Sequence, residues 1–455
     1  MKRTLLIVVA VLLVWGEFVA PEAAEFVMDP DELPEARVAG WRIAFTRNGT
    51  PVVGRDGRWL FDAGLNYAMP GWKEWGTQVR RSSHEDGWKK RGDSLVFHGT
   101  LHDTDRTPRF RFTETVTLLP YGLRFNYEIS PLEKRRLKEF GICLHLPVAH
   151  NRGSLADFWP GLEGLQFPNK NRKGVLLKST GRGAVIRGAE GMRVGLVFPK
   201  AVRWRTLDDR RWELNTFRVL GLDATAVRQL REGKTARLTY DLVLGEKPYP
   251  SAGTGAFTLE TGPYGQLAIY SADGRRRIAG GVYDTHEGRR WMGKSARPEA
   301  GVVAESDGQP KLCGGLWESR KSTLRYSAKV KQDGDSAVLE MRLSPETDSP
   351  CPDTVRMGFY VPAKDVSVAV SGPGNTEKQN SRDESHDSPV HRVRIGFTAG
   401  QDLVLDSDRE WNVQKTKISR QPCYLVSVAP IPGEDGEVLW RVRMKNTGEV
   451  KEVQR

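Results

Sequence analysis

The feature that most constrains this chain is a strand-like segment that occurs twice. Residues 123–131 alternate apolar and polar side chains and end in Ser-Pro, and residues 337–345 repeat the pattern in register, with Val338 as the one exception. A second strand-like segment follows each copy, at residues 142–147 and 357–362. Alternation with period two is typical of a half-buried β-strand, so the repeat predicts a duplicated β-protein.

Further segments match in the same order along both halves. Residues 40–49 match residues 265–274, and the two segments end in Asn-Gly and Asp-Gly, which favour tight hairpin turns. Because order and turn chemistry are kept together, we predict an all-β protein with two tandem, internally duplicated antiparallel β-sandwich domains. The expected division is a signal peptide at 1–24, the first copy at 25–247, a linker at 248–261 and the second copy at 262–455.

Two smaller features are interpreted as structural. The best helical candidate, residues 224–232, is one or two turns at most. Asp209 and Trp212 have the same spacing as Asp408 and Trp411 in the second copy. A feature present in both copies is expected to be a structural corner rather than a catalytic group, because one active site needs no second set.

The N-terminus predicts export. A basic start is followed by an apolar run over residues 5–15, which is too short to span a bilayer and is typical of a signal-peptide core. Small residues follow and place cleavage near Ala24, with an uncleaved anchor as the alternative. We therefore expect a secreted or periplasmic protein with no transmembrane segment after signal removal.

The composition favours an anionic partner. The formal net charge is +12, from 69 basic and 57 acidic residues. Such an excess favours an acidic polysaccharide, a cell surface or nucleic acid, and the alternative is a basic solvated surface without a specific ligand. The four cysteines have no Cys-x-x-Cys spacing, and nucleotide, zinc-protease and serine-hydrolase motifs do not occur. We expect no cofactor and no metal, and the disulfide pairing stays open.

A loop found only in the first copy is the best candidate for hydrolytic chemistry. It contains Asp157, Trp159 and Glu163 between glycine and proline residues. Glycoside hydrolysis uses two carboxyl groups, one of them kept protonated by apolar surroundings, and Asp157 and Glu163 are candidates for this pair. Trp159 is a candidate for stacking on a sugar ring. The alternative is a loop that packs its aromatic residues against the sandwich edge.

A histidine on a strand suggests a different reaction. His145 alternates with Ile142, Leu144 and Leu146, so it is expected on the face opposite the core, and His102 lies on a nearby matched strand. A histidine in such a place could transfer a proton in a polysaccharide lyase, with basic runs such as Arg80-Arg81 neutralising a uronate. The alternative is a surface histidine among solvated charges.

Two aromatic loops are candidate glycan subsites. The first contains Tyr67, Trp72 and Trp75, and its counterpart in the second copy contains Tyr283 and Trp291. Aromatic rings stack on sugars, and the charged residues between them can bind hydroxyl groups. The alternative is a set of aromatic residues that plug the ends of the sandwiches.

Several strands resemble a known family. Residues 112–129, the Leu-Pro end at Leu146-Pro147 and residues 233–238 are similar to the galactose-mutarotase-like super-sandwiches of secreted bacterial polysaccharide-active enzymes. The resemblance implies a carbohydrate ligand. We therefore expect an exported glycan-degrading enzyme, a glycoside hydrolase or a polysaccharide lyase, acting on a polysaccharide or oligosaccharide and not on nucleic acid. The alternatives are a non-catalytic carbohydrate-binding protein and a structural surface protein.

Overall fold

A computed structural model of the protein describes residues 24–28, 33–38, 40–55, 58–159, 164–171, 174–188, 193–212, 214–245, 249–262, 265–286, 290–292, 296–304, 310–318, 322–346, 350–363, 366–371, 391–397, 402–418 and 421–446. The predicted signal peptide lies outside these ranges except for Ala24.

In the first half of the chain, the described strands form one hydrogen-bonded, antiparallel system of 17 members. They are β1 (Glu25–Val27), β2 (Glu35–Val38), β3 (Trp41–Phe45), β4 (Pro51–Arg55), β5 (Arg58–Ala68), β6 (Trp75–Thr77), β7 (Ser82–Arg91), β8 (Ser94–His102), β9 (Pro108–Leu119), β10 (Gly122–Pro131), β11 (Glu139–Pro147), β12 (Leu155–Trp159), β13 (Gly164–Gln166), β14 (Gly174–Arg187), β15 (Arg193–Asp208), β16 (Thr216–Leu222) and β17 (Ala236–Gly245). Two short helices interrupt them, α1 (Val148–Asn151) and α2 (Ala224–Arg231).

In the second half, the described strands form two sheets, one of 8 and one of 9 strands. They are β18 (Ser251–Gly253), β19 (Phe257–Thr261), β20 (Gln266–Ser271), β21 (Arg276–Asp284), β22 (Arg290–Trp291), β23 (Arg297–Ala304), β24 (Pro310–Glu318), β25 (Thr323–Asp333), β26 (Ser336–Pro345), β27 (Val355–Pro362), β28 (Val366–Ser371), β29 (His391–Phe397), β30 (Asp402–Ser407), β31 (Trp411–Ile418), β32 (Gln421–Val428), β33 (Ile431–Pro432) and β34 (Val438–Asn446). The all-β sandwich architecture predicted from the alternating pattern is confirmed.

Alternation along the strands explains the cores. In β10, Phe125, Tyr127 and Ile129 are buried, while Arg124 and Glu128 face outward. The buried faces of the first half meet in one large apolar cluster. A second cluster fills the second half and also includes Trp159, Val185 and other side chains of the first half. Part of the contact between the halves is therefore apolar and continuous with a core.

The two halves pair their strands in the same register. Cys143 of β11 lies opposite Gly64 of β5, and Gly358 of β27 lies opposite Gly281 of β21. The sequence repeat aligns these same positions. In addition, β10 pairs with β9 and β17, as β26 pairs with β25 and β34. This wiring supports the duplication, which stays an inference from the sequence.

Part of the segment expected to be a linker forms strands. β18 and β19 lie within residues 248–261 and extend the sheet that contains β20. Phe257 and Leu259 are buried, so alternate burial stabilises a strand where the Gly and Pro content had suggested a loop. The short helix predicted at 224–232 is confirmed as α2, and Asp223 caps its N-terminus by accepting from the backbone N–H groups of Thr225 and Ala226.

Candidate functional site

The outer face of one sheet in the first half carries the candidate site. β14, β15, β16, β11 and β5 lie side by side in this order. Along β11, Ile142, Leu144 and Leu146 pack in the core. Side chains alternate along a strand, so Cys143 and His145 belong to the opposite, outer face.

His145 lies between charged residues of the two neighbouring strands, opposite Asp62 of β5 and Arg218 of β16. Its Nδ1 is 2.6 Å from Oδ1 of Asp62, and its Nε2 is 3.5 Å from Sγ of Cys143. Burial lowers the pKa of His145, but Cys143 and Asp62 outweigh burial and raise the pKa to about 10. The charged imidazolium is therefore favoured, and only 4% of the residue is exposed.

A cleft of about 1170 Å³ lies on this outer face. Leu207 and Arg218 of the sheet contribute to its lining, together with loops from neighbouring strands. The lining combines tryptophans, arginines and a few small polar groups: Trp72, Trp75, Trp212, Arg80, Arg81, Arg106, Arg205, Arg218, Asn66, Ser82, Ser83, His102 and Asp103. Such a combination of flat apolar rings and cations suits a ligand with both sugar rings and negative charge.

The tryptophans of the cleft present exposed rings beside guanidinium groups. Trp72 is 38% exposed and Trp212 is 49% exposed. The guanidinium of Arg205 lies 4.8 Å from the ring centre of Trp72, and that of Arg81 lies 4.6 Å from the ring centre of Trp75. Stacking on these cations holds the indoles in place at the rim of the cleft.

Three arginines of the cleft have no carboxylate within 4 Å among the described residues: Arg80, Arg81 and Arg106. Arg81 donates instead to the backbone carbonyl groups of Asp103 and Thr104. The other two arginines are paired, because Arg218 contacts Asp209 at 2.5 Å and Arg205 contacts Glu139 at 2.5 Å. The cleft therefore carries uncompensated positive charge.

The one carboxylate in the described lining, Asp103, is already engaged. Its Oδ1 accepts from the backbone N–H groups of Asp105 and Thr107, and its Oδ2 accepts from Arg109. Burial alone would raise the pKa of Asp103, but these hydrogen bonds and Arg109 lower it below its ordinary value. Asp103 is thus a fixed anion that shapes the wall rather than an acid that can donate a proton.

Backbone strain and an unpaired donor mark the same cleft. Trp72 and Arg106 have φ angles of 60° and 62°, in the left-handed region that non-glycine residues rarely occupy. Such strain concentrates at functional sites, where the surrounding structure holds it in place. At the cleft wall, the buried amide Nδ2 of Asn66 donates to no partner among the described residues.

The structure brings only some of the predicted glycan-binding residues together. Trp72 and Trp75 line the cleft, as described above. Tyr67 is fully buried in the core of the first half, and its ring contacts that of Phe110 at 4.9 Å. Trp159 is 4% exposed and packs against Tyr249 at the contact between the halves. Neither ring reaches the cleft.

The aromatic residues predicted as a second subsite lie in the other half. Tyr283 and Trp291 are 3% and 8% exposed and their ring centres are 4.8 Å apart. Trp291 also packs on Tyr360, which occupies the position that His145 occupies in the first half. These rings stack on one another, which corresponds to the packing alternative rather than to an open subsite.

The predicted acid–base pair is not assembled in the cleft. Asp157 is 5% exposed and lies between two guanidinium groups, at 3.6 Å from Nε of Arg187 and 3.8 Å from Nε of Arg276. Because Arg276 belongs to β21, this cluster joins the two halves. Glu163 lies outside the described residues, so its role stays a prediction.

Sequence reasoning missed several residues that the cleft assembles. Trp212 had been interpreted as part of a structural corner, yet it is exposed in the cleft, whereas its counterpart Trp411 is 4% exposed. Arg205 and Arg218 were not singled out either. The sequence pattern that could have identified them is the period of two along β15 and β16, which places these charged residues together on one face of otherwise apolar strands.

No group of three or more His, Cys, Asp or Glu side chains could hold a metal ion in that part of the chain. None of the helices in the described ranges has the length and apolar character needed to cross a bilayer.

No family model and no curated protein matches the chain. Among solved structures, it is similar to a putative aldose 1-epimerase from Escherichia coli, with 12% identity, a TM-score of 0.29, and coverage of 49% of this chain and 98% of the other. A galactose mutarotase-like protein from Lactobacillus casei matches with 9% identity, a TM-score of 0.30, and coverage of 49% and 99%. The galactosidase domain of an alpha-galactosidase-sucrose kinase matches with 10% identity, a TM-score of 0.30, and coverage of 48% and 41%. These matches cover about half of this chain.

Proposed function

We propose that this protein acts on an anionic polysaccharide, which it binds in the cleft of the first half. One observation carries the proposal: Arg80, Arg81 and Arg106 line a cleft whose only described carboxylate, Asp103, is already paired. Uncompensated arginines favour carboxylate or sulfate groups, which accept paired hydrogen bonds from the guanidinium.

The tryptophans account for the sugar part of the ligand. Trp72, Trp75 and Trp212 present indole faces in the same cleft, and an indole suits the apolar face of a pyranose ring. Rings for stacking and donors for charged or hydroxyl oxygens together match a uronate-containing or sulfated glycan better than a neutral one.

The charges favour elimination over hydrolysis. Hydrolysis of a glycosidic bond uses two carboxyl groups on either side of it, and the described lining offers only Asp103, which is held by Arg109 and by backbone donors. Elimination instead needs a cation at the uronate and a base beside it. Arginines at the carboxylate withdraw electron density and stabilise the negative charge that develops when the neighbouring proton leaves.

His102 is the proposed base. It is half-buried and lines the cleft together with Arg81 and Arg106, and histidine is the side chain that most often serves as a general base. His102 would take the proton from the carbon beside the carboxylate. The electron pair of that C–H bond would form a double bond to the next carbon, the bond from that carbon to the glycosidic oxygen would break, and the leaving oxygen would take a proton from water.

His145 has a supporting place in this proposal. Its raised pKa favours the imidazolium, so it does not serve as a base at neutral pH. The charged ring and its partner Asp62 lie beneath the same face and fix the position of the strands that carry Arg218 and Asn66. The role assigned to His145 is therefore positioning rather than proton abstraction.

The test is turnover of polygalacturonate, alginate, hyaluronan and heparan sulfate, with cellulose and xylan as neutral controls. A lyase produces an unsaturated uronate that absorbs in the near ultraviolet, together with new reducing ends. His102→Asn should lower the rate by about a hundredfold or more while glycan binding persists. His286→Asn, an exposed histidine of the second half, should change nothing. New reducing ends without ultraviolet absorbance, or a fully active His102→Asn variant, would contradict elimination.

A binding protein without turnover is the second candidate. The burial of His145 favours it, because His102 is then the one histidine in the described lining of the cleft. Tight binding of an anionic glycan with no product from any of these substrates would establish this candidate and exclude the lyase.

Export is proposed on the N-terminal sequence. The basic start and the apolar run over residues 5–15 have the pattern of a signal peptide. N-terminal sequencing of the protein from its native source should find a mature chain that begins near residue 25. A chain that still carries residues 1–24 would contradict cleavage.

A further inference from the structure

A second hollow lies on the same outer face, next to the cleft. It has a volume of about 550 Å³ and is lined by residues of β14, β15, β16 and β11, namely Lys178, Ser179, Thr180, Arg203, Trp204, Arg205, Leu222 and Glu139. Lys178 and Arg203 are exposed, and neither has a carboxylate within 4 Å among the described residues. The buried Oγ of Ser179 also has no hydrogen-bond partner there.

The strand register concentrates positive charge in this hollow. Lys178 of β14 lies directly opposite Arg205 of β15, and Thr180 lies opposite Arg203. Like charges directly opposite each other on one sheet face destabilise a strand pair. Only Arg205 is compensated, by Glu139. Lys178 and Arg203 have no such carboxylate among the described residues, and a ligand anion bound between them would compensate both charges.

Arg205 joins the second hollow to the cleft. Its side chain lines both, and the ring of Trp72 lies 4.8 Å from its guanidinium. Arg203 lines the second hollow and Leu207 lines the cleft, and the two residues belong to the same strand. Four residues of extended chain span about 13 Å, so Arg203 and Leu207 are farther apart than the width of one pyranose ring. One extended oligosaccharide can occupy both.

We propose that Lys178 and Arg203 form a second anion subsite, so that the ligand is an oligosaccharide with negative charge on more than one sugar. The inference rests on the proposed function, because the second subsite extends the glycan-binding cleft. The cleft binds one charged sugar at Arg80, Arg81 and Arg106, and the second hollow binds another farther along the chain. Trp72 and the Arg205–Glu139 pair lie between them.

The test is affinity as a function of ligand length, measured calorimetrically with oligogalacturonates and heparin-derived oligosaccharides from disaccharide to hexasaccharide. For the wild-type protein the affinity should rise with length in the better-bound series. The double variant Lys178→Ala/Arg203→Ala should lose about tenfold or more in affinity for the hexasaccharide, and much less for the disaccharide. Lys415→Ala, at an exposed lysine in the second half, is the matched control. The thermal midpoint of the double variant should not fall below that of the wild type, because the substitutions remove like charges from one sheet face.

Each outcome decides one point. Suppose that the wild type binds the anionic series better than neutral cello-oligosaccharides, and that the double variant has the same affinity as the control at every length. The second subsite is then wrong, whereas the proposed binding of an anionic glycan in the cleft is retained. An equal loss at every length would also overturn it, because a remote subsite is not reached by a disaccharide. If neither anionic series binds better than the neutral one, the proposed function fails and the subsite with it.

Discussion

Replacing Glu139 by glutamine should destabilise the first half of the protein and, at the same time, tighten the binding of an anionic glycan. Glu139 is 7% exposed, and its two carboxylate oxygens accept hydrogen bonds from the guanidinium of Arg205 at 2.5 Å each. The amide keeps the shape of the side chain and removes its charge. Arg205 then stands between the cleft and the second hollow without an anion to compensate it.

Both effects can be sized. Removing one partner of a buried ion pair costs about 3–5 kcal/mol, and because the amide oxygen of glutamine keeps one bond to Arg205, we expect about 2 kcal/mol. In a domain of roughly 200 residues that lowers Tm by about 4–8 °C. A ligand carboxylate about 8 Å from Glu139 is repelled by about 2 kcal/mol at an effective dielectric constant of about 20, which is about thirtyfold in affinity. Screening over one Debye length reduces the gain to about threefold.

The assay pairs calorimetric titration of an anionic hexasaccharide, at low and at physiological salt, with thermal unfolding of the same samples. Glu128→Gln is the control, because Glu128 is exposed and pairs with Arg237 on a different sheet region, where an ion pair contributes little. The electrostatic reasoning would be refuted if Glu139→Gln lost stability and also bound the glycan less tightly than the wild type. It would equally be refuted if the affinity of the variant at low salt were the same as that of the wild type.

Three further predictions concern the core, the cleft and the contact between the halves. Burial holds the pKa of Glu114 well above its ordinary value despite the hydrogen bond from Gln78. The contribution of Glu114 to stability is therefore complete below its unfolded-state pKa and is lost as pH rises through its folded-state pKa. Urea unfolding of Glu114→Gln should depend less on pH than that of the wild type, and parallel pH curves for the two proteins would contradict this. Trp212→Ala should weaken glycan binding with little change in Tm, whereas Trp159→Ala should cost about 3–5 kcal/mol of stability. If instead Trp159→Ala weakened binding at unchanged Tm, Trp159 would again be the candidate for stacking on the sugar. Asp157→Asn should lower Tm without altering the affinity for the glycan, and a loss of affinity at unchanged Tm would return Asp157 to the site.

Much of the fold was predictable because it depends on short-range patterns. Residues 123–131 and 337–345 became β10 and β26 within one residue at the start, since period-two alternation buries one face wherever a second sheet is present. The sequence also predicts the tight turn at Asn48-Gly49 before β4. Gly49 has a φ of +83°, and a Cβ there would lie 2.2 Å from Oε2 of Glu114, so only glycine fits.

The site was less predictable because it depends on which loops fold inward. Trp159 and Trp72 both stand in aromatic, proline-containing segments, yet one is buried and the other is exposed. The difference arises from long-range contacts, namely the packing of Trp159 against the second half and the stacking of Trp72 on Arg205. Strand pairing between β14 and β15 likewise places Lys178 opposite Arg205, which the spacing of the two residues along the chain does not reveal.

The most direct test of the central claim is a crystal structure of the protein with a bound anionic hexasaccharide. We expect sugar rings against Trp72 and Trp212 on the outer face of β15 and β16, with acidic groups at Arg80 and Arg106. An oligosaccharide bound at the aromatic residues of the second half, with the cleft of the first half empty, would contradict it.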